Sequence, residues 1–160
     1  MHSSQVINTG DTIEVRTAHG ILGRLTQFFT RSAYTHVGVA IWLDRQLYMA
    51  ELNGGRNHLV PMSQLTEFDV YACPAGLTNI EGAILASLAQ PIDYGYPAFA
   101  LIGLLNWFRI RLFVHWRRII VCSGYVVKIY ESAGWPERSR IISPEELAKQ
   151  LELKFQVRLS

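Results

Sequence analysis

The sequence predicts an α+β fold in which helices pack against an antiparallel sheet. Short β-favouring runs lie at Thr12–Arg16, Val37–Trp42, Gln46–Leu52 and Phe68–Ala72. Two capping-box signatures open helices, at Thr78-Asn79-Ile80-Glu81 and at Ser143-Pro144-Glu145-Glu146, and a further helical repeat starts at Cys122. The chain has 160 residues, 49% of them hydrophobic, which is enough to bury a core without staples, so one domain over 1–160 is expected.

The elements follow in order. Gly10-Asp11 leads into Thr12-Ile13-Glu14-Val15-Arg16, whose alternation predicts a half-buried first strand. Ile21, Leu22, Leu25, Phe28 and Phe29 recur at helical spacing between about Gly20 and Thr30, with Gly23 weakening that helix. The runs on either side of Leu43-Asp44-Arg45 form a hairpin. If opposed positions sum to 87 or 89, His36 and Glu51 share a face, opposite or diagonal, whereas a one-residue slip separates them.

Asn53-Gly54-Gly55-Arg56-Asn57 reads as a loop, followed by short strands at Leu59-Val60 and Phe68–Ala72. The box at Thr78 opens a helix that runs to Gln90 and stops at Pro91. A turn-rich aromatic loop follows through Pro97, which opens an apolar helix to about Trp107. Val126, Ile129, Tyr130 and Ala133 continue the repeat from Cys122, with Gly134 as the C-terminal cap. The Ser143 box opens a helix to about Leu151, and Leu153–Leu159 is the last strand.

Composition excludes several classes. A net charge of +2 with no basic stripe on a recognisable motif argues against a nucleic-acid partner. Cys73 and Cys122 are the two cysteines, and a compact domain of this size needs no disulfide between them. His19, His58 and His115 make no metal-ligand spacing with the cysteines, and no CxxC or HxxxH pattern occurs, so neither metal nor other cofactor is expected.

Met1-His2-Ser3-Ser4-Gln5 does not begin a secretory signal, which makes a cytoplasmic location the default and requires another route for any export. The uncharged stretch from Tyr94 to Phe108 is shorter than the ~20 residues of a spanning helix and reads as buried or interfacial. Beyond it, Arg109, Arg111, Arg117 and Arg118 alternate with aromatic residues. Ala98 to Arg118 is therefore a candidate contact with a membrane surface or anionic substrate groups, the alternative being a packed segment whose arginines reach solvent.

Two short motifs carry the chemistry: Thr35-His36-Val37-Gly38-Val39-Ala40 and Val121-Cys122-Ser123-Gly124-Tyr125-Val126. A cysteine attacks as its thiolate, and a neighbouring imidazole generates that thiolate near neutral pH. The N–H groups and positive dipole end at a helix start stabilise the thiolate and then an oxyanion. Glu51, on the strand paired with that of His36, can orient the imidazole, with Asn53 as the fallback. The plain alternatives are Cys122 as a buried apolar residue, His36 as a hydrogen-bonded core or surface residue, and Glu51 as an exposed strand-end carboxylate. Ser123 is not in a Gly-x-Ser-x-Gly elbow and more simply serves the helix start.

In their order, with the histidine before the cysteine, these motifs resemble the circularly permuted NlpC-type papain-like superfamily. The similar group is the YiiX/YebB-like one, related to the lecithin:retinol acyltransferase-like enzymes. The resemblance rests on Gly10-Asp11, Tyr34-Thr35-His36-Val37-Gly38-Val39, Glu51, Asp93-Tyr94, Cys122-Ser123 and Ser143-Pro144-Glu145-Glu146-Leu147, in that order along nearly the whole chain. It implies a permuted papain-like fold, with Cys122 as nucleophile, His36 as base and then acid, and Glu51 as the orienting residue. Tyr34, Tyr94, Ser123 and Tyr125 are the candidate substrate contacts. Gly124-Tyr125 stands where related sequences often have an acidic and an apolar residue, which leaves the substrate open.

The expected activity is a cysteine peptidase or amidase acting on a peptide or acyl substrate, with bacterial cell-wall peptides of peptidoglycan first. Such a target requires phage or bacterial delivery. A lipid-directed thiol hydrolase or acyltransferase is the second expectation, and a non-enzymatic binding or structural module of a larger assembly the third.

Overall fold

A computed structural model describes residues 6–16, 34–53, 56–90, 122–136 and 143–158. Six strands form one sheet: β1 (Thr12–Val15), β2 (His36–Leu43), β3 (Gln46–Asn53), β4 (Arg56–Pro61), β5 (Phe68–Tyr71) and β6 (Leu153–Val157). Their spatial order is β4-β3-β2-β1-β5-β6, and every neighbouring pair is antiparallel. Three helices accompany it: α1 (Ile80–Ala89), α2 (Cys122–Ser132) and α3 (Pro144–Ala148). The predicted α+β class, an antiparallel sheet with packed helices, is the architecture found.

The β2–β3 hairpin turns through Asp44 and Arg45, both at positive φ (47° and 65°), which suits a two-residue turn of the primed kind. Leu43 opposes Gln46 and Gly38 opposes Glu51, so the 89 register holds and Glu51 lies diagonal to His36. The next hairpin is tighter than the loop predicted for 53–57, because Asn53 pairs with Arg56 and Leu52 with Asn57.

β1 corrects the sequence reading more sharply. All four of its residues are buried rather than alternately exposed, because it runs inside the sheet between β2 and β5 with packing on both faces. Ile13 and Val15 join Ala40, Met49, Phe68 and Val70 on one side. Val37, Val39, Ile41, Ala50 and Leu52 face the other way, onto Val126, Ile129 and Tyr130 of α2. Thr12 and Glu14 belong to this second face, since directly opposed residues of an antiparallel ladder point to one side and they oppose Val39 and Val37. Thr12 Oγ1 meets the Tyr130 hydroxyl at 2.5 Å, and that hydroxyl donates to the Gly10 carbonyl at 2.7 Å, tying α2 to the start of β1.

The helix ends show why local motifs read well but not perfectly. Ser143 and Glu146 form the full reciprocal capping box, and Pro144 is the first residue of α3, which ends at Ala148 rather than near Leu151. At α1 the cap is Asn79 instead of Thr78. Asn79 takes a left-handed conformation (φ 50°) and accepts from the Gly82 N–H, while the Thr78 hydroxyl turns to the Ala133 carbonyl at the end of α2. Gly134, at φ +106°, closes α2 as predicted. The helices predicted near 20–30 and 97–107 lie outside the described residues.

Candidate active site

β2 begins at His36 and α2 begins at Cys122, so each reactive side chain sits at the end of a regular element. The Cys122 thiol is within hydrogen-bonding reach of the His36 imidazole. His36 Nε2 lies 2.9 Å from Glu51 Oε2. This contact is short but off the line of the ring N–H, so it is an ion pair more than an aligned hydrogen bond. Asn53 Nδ2 donates to Glu51 Oε1 at 3.3 Å, so the residue held in reserve as an orienter of His36 instead backs the carboxylate.

The 89 register requires the two strands to approach closely beside this pair. A Cβ at Gly38, between His36 and Ala40 and opposite Glu51, would lie 2.6 Å from the Ala50 carbonyl oxygen and 2.5 Å from Met49 Cγ. Glycine at 38 lets β3 come near enough to hold Glu51 against His36.

Electrostatics favour a charged ring. Burial opposes the imidazolium, but the contacts with Cys122 and Glu51 more than offset it and push the His36 pKa up to about 10. Burial would likewise raise the Glu51 carboxyl, yet His36 and Asn53 hold it below its ordinary value. Cys73 differs from Cys122 in its surroundings: burial, and then Asp11, push its thiol up to about 11. Both cysteines are free.

Of the four candidate substrate contacts, Tyr34 and Tyr125 turn their hydroxyls to internal partners. Tyr34 is buried, and its hydroxyl bonds the Asp69 carboxylate and the Tyr71 hydroxyl, each at 2.7 Å. Tyr125 is 1% exposed, and its hydroxyl meets Ser87 Oγ of α1 at 2.8 Å, so the side chain fastens one helix to another. Ser123 is fully buried behind Cys122, and Tyr94, with the segment Ala98 to Arg118, lies outside the described residues.

Two buried carboxylates escaped the sequence reading. Asp69 of β5 accepts from Arg16 Nη2 and Arg158 Nη1 at 2.6 Å each, from Tyr34, and from Gln156 Nε2 at 3.1 Å. Glu14 opposes Asp69 across the β1–β5 ladder and is fully buried. An acid between Ile13 and Val15 looks like the solvent face of an alternating strand, and so does the acid in Phe68-Asp69-Val70-Tyr71, so neither carries a local signal of burial.

This arrangement of sheet and helices is similar to a solved structure. The chain has a YiiX-like fold. The similarity is to the metalloprotein yiiX from Escherichia coli O157:H7, with a TM-score of 0.56 and 20% identity over 80% of this chain and 67% of that one. No protein-family model matches the sequence, and none of the curated proteins does. Among the described residues no group of three His, Cys, Asp or Glu side chains is disposed to hold a metal ion, and His36 Nε2 is turned onto a carboxylate.

Proposed function

We propose that this protein is a thiol hydrolase of the permuted NlpC-type papain-like group that cleaves an amide bond through an acyl-enzyme on Cys122. The observation that carries this reading is the His36 imidazole with both a thiol, Cys122, and a carboxylate, Glu51, as side-chain partners. His36 takes the thiol proton, and Glu51 stabilises the resulting imidazolium. The Cys122 sulfur attacks the carbonyl carbon, and N–H groups at the start of α2 receive the oxyanion. The C–N bond breaks as His36 returns its proton to the leaving amine. His36 then takes a proton from water, the hydroxide attacks the thioester, and a carboxylic acid leaves with the thiol restored.

A short peptide of the bacterial cell wall is the first substrate to try, reached with the help of phage or bacterial delivery. The uncharged run 98–107, followed by arginines among aromatic residues, favours acyl lipids as the second class. Incubation with peptidoglycan fragments and, separately, with acyl-lipid vesicles, followed by intact-mass analysis, tests both. An acyl adduct on Cys122 with the first and not the second supports the amidase reading. An adduct with lipid alone replaces it by lipid-directed acyl chemistry. No adduct and no turnover with either, in wild type and in slow-deacylating variants, points to a binding module.

A further inference from the structure

Glu14 is 0% exposed, and neither of its carboxyl oxygens has a hydrogen-bond partner among the described residues. A buried carboxylate in that condition is costly, whereas a neutral acid that finds an acceptor is tolerated. The register places Glu14 directly opposite Val37, the residue after His36, and so on the face that α2 covers. Cys122 is the first residue of that helix and belongs to the same buried cluster as Val37. Among the described residues, the titratable and charged groups around Glu14 are Cys122 and Tyr130 from α2, Asp69 and Tyr71 from β5, Arg16 after β1 and Glu145 from α3. Cys122 acts on it most strongly among them. Burial first, then the negative charge of Cys122 and Asp69, push the Glu14 carboxyl up to about 9, so it keeps its proton at neutral pH.

We infer that Glu14 is a fourth member of the site, a buried carboxylic acid whose O–H donates a hydrogen bond to the negative charge formed at Cys122. The inference rests on the thiol reading above. When His36 takes the thiol proton, the sulfur becomes the acceptor that the Glu14 hydroxyl lacks among its other neighbours. Glu14 keeps its own proton throughout, so no further proton enters or leaves the step. An ionised Glu14 would repel the same sulfur, which makes its neutral form the useful one.

The test is the rate at which iodoacetamide, a neutral probe, alkylates Cys122 across pH in wild type, Glu14→Gln, Glu14→Leu and His36→Ala, with thermal midpoints measured alongside. Glu14→Leu keeps its midpoint but labels about tenfold more slowly near neutral pH, the loss of one hydrogen bond to a charged group. Glu14→Gln, which retains a donor, restores most of the rate and labels faster than wild type above pH 9. Equal rates in Glu14→Leu and wild type, or equally slow rates in Gln and Leu, overturn the assignment. Unslowed labelling in His36→Ala instead removes the thiol reading beneath it. Should Glu14→Leu fail to fold, infrared spectra decide: a protonated-carboxyl band at neutral pH that vanishes in Glu14→Gln supports the role, and its absence from wild type ends it.

Discussion

Glu14 and Asp69 stand opposite one another on neighbouring strands, both fully buried, and the protein treats them in contrary ways. Asp69 is surrounded by donors from Arg16, Arg158, Tyr34 and Gln156. Burial would raise its carboxyl, but the donors outweigh burial and bring it to about 2. Among the described residues Glu14 receives no donor, and it is pushed up to about 9. The same chemical group at adjacent positions therefore carries charge in one place and a proton in the other. A carboxylate bound by two guanidinium groups is a structural tie between β1, β5 and the end of β6. A carboxyl without such donors, on the face of the sheet that α2 covers, keeps its proton near Cys122.

Breaking the site should cost activity most. Cys122→Ala abolishes acyl-adduct formation with its urea midpoint near wild type, and His36→Ala lowers turnover of the peptidoglycan-fragment substrate by roughly 10²–10⁴ and lowers the midpoint as well, because buried Glu51 loses its ion pair. Breaking the structural tie should do the reverse. Asp69→Leu leaves Arg16 and Arg158 without their shared partner and costs about 3 kcal/mol of unfolding free energy, read from urea titrations. In the folded fraction Cys122 labelling is unchanged. If Asp69→Leu silences Cys122 without destabilising the protein, the division between the two regions is wrong.

The pH dependence of stability separates the two carboxyls by sign. Asp69 is depressed in the folded state, so its stabilisation is present above about pH 3.8 and is lost as pH falls toward about 2. Glu14 is raised, so the folded state holds a proton that the unfolded state has released, and stability declines as pH rises above 4.5. His36 adds a decline of its own only from about 6.5 to 10. Urea titrations between pH 4.5 and 6.5 should thus slope downward in wild type and flatten in Glu14→Gln, and an unchanged slope in that variant would remove the claim that Glu14 is neutral. The smallest effect belongs to Tyr34→Phe, which deletes one donor to Asp69 and should cost roughly 1 kcal/mol.

What was legible in the sequence was local. The Leu43-Asp44-Arg45 turn narrowed the register to two choices, and both put Glu51 on the face of His36 because side chains alternate. The Ser143 box was legible because its donors and acceptors are three residues apart. Thr78 misled because a distant carbonyl, that of Ala133, competes for its hydroxyl. Glu14 and Asp69 could not be matched from the sequence. Their pairing joins strands separated by the whole β2–β4 meander, and the cover that buries Glu14 comes from a helix beginning at residue 122. Tyr34 and Tyr125 look like site residues by their neighbours in the chain, yet each spends its hydroxyl on an internal partner.

The central claim, that His36 activates Cys122, is tested most directly within one molecule that carries its own control. Alkylation of Cys122 and Cys73 is followed together at neutral pH by peptide mass analysis, in wild type and in His36→Ala. Cys73 lies in surroundings that push its thiol up to about 11, and it should react slowly and identically in both proteins. Cys122 should react much faster than Cys73 in wild type and lose that advantage in His36→Ala. Equal labelling of the two cysteines in wild type, or a Cys122 rate indifferent to the loss of His36, would contradict the account.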